Sequence, residues 1–78
     1  MQDSVKILSR LGDEIAGYVV IAQYKERVIL AQAINPKNPC KAVVWYLDYQ
    51  GEPHTGDYYI DLKSAYHEFI NRAFGWYI

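Results

Sequence analysis

Two histidines, one cysteine and a scatter of carboxylates are the residues on which acid-base, nucleophilic or metal chemistry could rest. A zinc site needs several such groups converging, whereas His54 and His67 fall on different elements and Cys40 has no cysteine partner. Cys40 lies between Pro39 and Lys41, where the neighbouring charge favours some thiolate character. A cysteine nucleophile also requires a base brought close in space, and no spacing in the chain supplies one. Asp48 and Asp57 can be drawn as an acid-base pair on neighbouring strands, yet both also suit strand edges and turns. The five glycines are isolated, so there is neither a phosphate-cradling loop nor a nucleophile elbow. The expectation is a non-enzymatic chain with no catalytic, cofactor-binding or metal-ligating residue.

The bulk composition narrows the partners. In 78 residues, eight Lys and Arg stand against nine Asp and Glu, with both signs spread along the length. A broad phosphate-binding patch and an acidic nucleic-acid mimic are both disfavoured by that balance. The hydrophobic fraction, 51%, predicts a packed core rather than disorder, and the length predicts a single domain spanning 1–78. One cysteine, no signal-peptide pattern and no apolar run of membrane-spanning length point to a reducing, cytoplasmic setting without membrane association.

The elements that would position these groups are α+β. Val5, Leu8, Leu11 and Ile15 fit a short helix over about Ser4–Leu11, although Val5-Lys6-Ile7 could equally begin a strand. Tyr18–Tyr24 and Arg27–Ile34 are rich in β-branched residues with Lys25-Glu26 between them, which predicts an antiparallel hairpin. Pro36 and Pro39 make the next segment a loop. Lys41–Tyr49 reads as a third strand, Gln50–Gly56 as a turn and Asp57–Ile60 as a short fourth strand. Asp61 then caps a helix whose apolar residues Leu62, Ala65, Tyr66, Phe69, Ile70, Ala73 and Phe74 repeat every 3.6 positions, with Glu68 and Arg72 paired on its outer face. Gly75 suits the left-handed position that ends it, with Trp76 folding back on the last turn. The predicted architecture is a four-stranded antiparallel sheet against a C-terminal amphipathic helix, with a short N-terminal helix.

Alternation along the strands assigns the faces. Asp48 shares a parity with Val44 and Tyr46, which marks that side as wet and sends Val43, Trp45, Leu47 and Tyr49 under the helix. Val20, Ala22, Tyr24, Val28, Leu30, Ile34, Tyr58 and Ile60 follow them inward. The opposite face then carries Val19, Ile21, Ile29, Val44, Tyr46 and Tyr59, too apolar to face water alone. It needs a cover: the N-terminal helix, a second copy of the chain, or a partner protein. Those six residues are the candidate protein-binding or dimer face. A nucleic-acid partner is the alternative, since Trp45, Tyr46, Tyr49, Tyr58 and Tyr59 could stack bases, but the basic groove that should accompany them is not evident.

The run Gly56-Asp-Tyr-Tyr-Ile-Asp-Leu-Lys-Ser-Ala-Tyr-His-Glu-Phe69, with Val43-Val44-Trp45 before it, resembles a pattern in small proteins of phages and conjugative elements of Gram-positive bacteria. Those proteins show a Val-x-Trp strand, a Gly-x-Tyr-aromatic strand and Asp-Leu-x-x-Ala-x-x-x-Phe opening a helix. Asp57 departs from the pattern, which often has His or another polar residue there. The resemblance covers roughly the C-terminal half and implies an accessory protein of a mobile element, a class that includes inhibitors of host defence systems such as CRISPR nucleases and restriction enzymes. It implies a fold more than an activity, and it carries over no site residue.

Overall fold

The computed structural model describes residues 9–75, which form a five-stranded antiparallel sheet and one helix. The strands are β1 (Glu14–Ile15), β2 (Tyr18–Tyr24), β3 (Val28–Ala33), β4 (Ala42–Leu47) and β5 (Pro53–Tyr59), followed by α1 (Leu62–Phe74). Strand order follows the sequence, so the sheet is a simple meander. The helix predicted at the N-terminus lies mostly outside the described residues; its described end, Ser9–Leu11, is not helical.

Two elements depart from the four-strand expectation. Ala16 and Gly17 both have positive φ, 52° and 88°, which gives a two-residue turn of the mirror-image kind that matches strand twist and closes β1 on β2. Gly17 tolerates that conformation freely, whereas alanine is uncommon there and gave no hairpin signal. β5 begins at Pro53 rather than Asp57. Proline is tolerated as the first residue of an edge strand, so the stretch expected as a turn pairs with β4 instead.

Two bulges set the phase and curl of the sheet. In β2 the register shifts between Val20 and Ala22, making Ile21 the extra residue; Val20 therefore pairs with Ala31 and Ala22 with Leu30, on opposite faces. In β5, Thr55 and Gly56 together oppose Trp45, and Thr55 adopts a φ of 55°. Each bulge lets strand parity change face, which simple alternation cannot anticipate.

Both faces of the sheet carry a buried cluster. Val28, Leu30, Ala42 and Val44 pack beneath Ala65 and Phe69 of α1, flanked by Ala22, Tyr24, Tyr46, Tyr59 and Ile70. Tyr18, Val20, Ile29, Ala31, Val43, Trp45 and Leu47 form a second cluster on the other face, with Tyr18, Trp45 and Tyr58 meeting edge to face. On that side Arg10 donates from its backbone N–H to Gln23 Oε1 and from Nη1 to the Gly51 carbonyl, drawing the segment before β1 across the end of the sheet. The assignment of Trp45, Val43 and Leu47 to the helix side is thus reversed. Asp48 misled it: it stands beyond β4, where its carboxylate accepts from the Gln50 and Glu52 N–H groups at 2.9 Å, and says nothing about strand faces.

The helix follows its local signals. Asp61 Oδ1 accepts from Ser64 N–H at 2.7 Å, and Gly75, with φ of 62°, ends the helix by donating to the Asn71 carbonyl. The backbone bond from Ser64, aided by the Ser64 hydroxyl, holds the Asp61 carboxyl below its ordinary range. A depressed folded-state value means that the cap stabilises the fold above the ordinary aspartate range and is lost as pH falls through the folded-state value. Asp61→Ala should lower the urea midpoint at neutral pH, and the difference from wild type should shrink as the pH falls through the depressed value; circular dichroism melts across that range check it.

Candidate functional site

Arg72 takes a place on the inner side of α1 that the 3.6-residue pattern gives to apolar residues. Sequence spacing places it on the outer face with Glu68. The pair forms, Nε to Glu68 Oε2 at 2.9 Å, but the Arg72 side chain is only 5% exposed. Its Nη1 donates to the Thr55 carbonyl at 2.8 Å and the Val44 carbonyl at 3.3 Å, and its Nη2 to Asp57 Oδ2 at 2.8 Å. The guanidinium also lies over the Tyr46 ring, 4.5 Å from its centroid. The planar fork thus ties the helix to the strand carbonyls at the β5 bulge. Burial alone would lower its pKa, but the Glu68 and Asp57 carboxylates outweigh that and raise it, so it stays charged. Nearby, burial and then the same two carboxylates push the Tyr59 hydroxyl above its ordinary value.

The carboxylates, cysteine and histidines of chemical interest do not converge. Asp57 is held by Arg72, and Asp48 serves the turn at the far end of β4. His54 stacks on Tyr46 and contacts the Thr55 hydroxyl at 2.8 Å, while His67 is exposed on α1. The Cys40 backbone is fastened on both sides: its N–H donates to Asn38 Oδ1, and its carbonyl accepts from the Tyr18 hydroxyl. Among the described residues no group of three His, Cys, Asp or Glu is placed to hold a metal ion.

Nor do the six residues of the expected docking face share one surface. Val44 is fully buried under α1, with Tyr46 and Tyr59 packed into the same cluster. Ile29 is fully buried on the other face, and Val19 is half-buried at the β1 pairing. Only Ile21 is well exposed, because the β2 bulge displaces it from the pleat. The stacking aromatics are divided in the same way, Trp45 and Tyr58 on one side, Tyr46 and Tyr59 on the other. No family model, curated protein or solved structure matches this chain.

A different surface emerges from the rotation of α1. With Ala65, Phe69, Arg72 and Ala73 turned inward, the i, i+4 row Leu62, Tyr66, Ile70 and Phe74 becomes a flank facing β2. At its C-terminal end Phe74 meets the Tyr24 ring, centroids 4.9 Å apart, and closes the gap. At its N-terminal end β2 presents Ala22, whose side chain is a single methyl, in place of a ring. A groove of about 490 Å³ is left there, lined by Ile21, Ala22, Leu30, Leu62, Lys63 and Tyr66. Leu62, Ile21 and Tyr66 are 39%, 41% and 52% exposed around it. Helical periodicity picks out Leu62 and Tyr66, but as core.

Proposed function

We propose that this chain is a non-enzymatic protein-binding module that meets its partner through the groove between α1 and β2. The observation that carries the reading is the largely apolar lining of that groove, in which Lys63 is the one charged residue and Ile21, Leu62 and Tyr66 stand exposed on both walls. Aromatic and aliphatic side chains preset on a helix and a strand are suited to docking, because little conformational freedom remains to be lost on binding. The finer reading, a mobile-element accessory protein that inhibits or regulates a host defence system in the cytoplasm, is supported by the resemblance of the C-terminal half. Among the described residues, no helix is long and apolar enough to cross a membrane.

Substitution within the groove tests the reading. Ile21→Ser and Tyr66→Ser should each weaken capture of a specific partner from the native host by about tenfold, equivalent to about 1.4 kcal/mol, while leaving the circular dichroism spectrum unchanged. Undiminished capture by both variants would remove this surface from consideration. Val44→Ser is the wrong probe, since it opens the core rather than a binding face.

A further inference from the structure

We infer that the free edge of β5, at its bulge, is a second recognition site, which takes an extended segment of a partner protein with one backbone carbonyl accepting from the Trp45 indole N–H. The site lies three strands from β2 and is independent of the α1–β2 groove. Two observations meet there. Trp45 is 6% exposed, yet among the described residues its indole N–H donates to no acceptor. Buried donors are almost always paired, because an unpaired one gives up its bond to water for nothing. This donor calls for an oxygen from outside the chain.

The second observation is where glycine stands. A bulge whose first residue is left-handed usually has glycine at that position, but here it is Thr55, a β-branched residue with φ of 55°. Gly56 follows without a positive φ of its own, so its conformation does not call for glycine. Space does. A Cβ at position 56 would fall 2.5 Å from Trp45 Nε1, and Gly56 is exposed, so the absent side chain leaves the indole nitrogen within reach of the sheet edge. Arg72 fixes the bulge from the helix side, through its bond of 2.8 Å to the Thr55 carbonyl.

The class of ligand follows from the edge itself. Among the described residues β4 is the only strand beside β5, so the outer edge of β5 offers backbone donors and acceptors at the spacing of another strand. An extended peptide matches that spacing, and a carbonyl of it that passes over Gly56 comes beside Nε1. Tyr58, 50% exposed and next to Gly56, adds an aromatic wall for one of its side chains.

Peptide selection on the whole chain provides the test. A displayed library of random peptides is selected on wild type, and the winners are measured by fluorescence anisotropy. They should lose about tenfold or more in affinity on Trp45→Phe, which keeps a ring but removes the N–H, and keep it on Ile21→Ser. N-methylation of alternate peptide amides should have the same effect in one of the two alternating sets, the set facing β5, and little in the other. In nuclear magnetic resonance spectra of wild type, the Trp45 indole proton should move downfield on saturation and show Overhauser contacts to the peptide. Winners that need Ile21 and tolerate Trp45→Phe would overturn the inference and leave the groove reading standing. An indole proton that does not move on saturation would overturn it even if Trp45→Phe failed to fold, as would a selection that returns no binder.

Discussion

Arg72→Met should destabilise the fold by about 2 kcal/mol, the range for leaving buried acceptors without their donor, since the Asp57 and Glu68 carboxylates it abandons can turn to water. Methionine fills a similar volume but leaves the Thr55 and Val44 carbonyls without the guanidinium that now donates to them. Those carbonyls belong to the segment where β5 bulges, so the loss falls where the sheet ladder is already interrupted. Arg72→Lys should recover only part of it, because an ammonium cannot reach the two carbonyls and both carboxylates in one plane. Asp57→Asn provides the contrast. Asp57 is 54% exposed and water can replace its partner, so the cost should stay within about 1 kcal/mol. Urea unfolding followed by circular dichroism separates these variants. Equal midpoints for Arg72→Met and Asp57→Asn would mean that Arg72 acts as an ordinary surface partner.

Gly56→Ala should cost about 2 kcal/mol through overpacking. A Cβ at position 56 would stand 2.5 Å from Trp45 Nε1 and 2.8 Å from Trp45 Cδ1. The indole has little freedom to retreat, being 6% exposed and held edge-on by Tyr18 and Tyr58. A smaller ring should restore the room, so adding Trp45→Phe to Gly56→Ala should cost less than the sum of the two single changes. Strict additivity in denaturant melts would show that the indole does not need the missing side chain.

These two sites also mark where sequence reasoning reached its limit. The helix was legible because its signals are local: Asp61 and Gly75 cap it, and its apolar residues recur with helical period. Strands β2, β3 and β4 were legible from β-branched composition. The faces were not: the parity of β4 was taken from Asp48, which lies beyond the strand in a turn, and the bulge at Ile21 reverses the parity within β2. Arg72 looked solvent-facing because an i, i+4 partner at Glu68 usually marks an exposed pair. Its inward turn carries Leu62 and Tyr66 out to the flank, which makes part of the expected core a candidate site. Of the six residues expected to form the docking face, Ile21 alone lies in the groove. It gets there by the bulge, a feature without a residue signature in this strand.

The most direct test of the groove is site-specific photocrosslinking in cells of the native host. A photoreactive phenylalanine analogue in place of Tyr66 should give a discrete covalent adduct with one partner protein. The same analogue in place of Tyr49, fully exposed on the β4–β5 turn and absent from the groove lining, should give none. The adduct from position 66 should also disappear when Ala22→Leu fills the groove. An adduct from position 49 without one from position 66, or one from position 66 that persists with Ala22→Leu, would contradict docking at the α1–β2 groove.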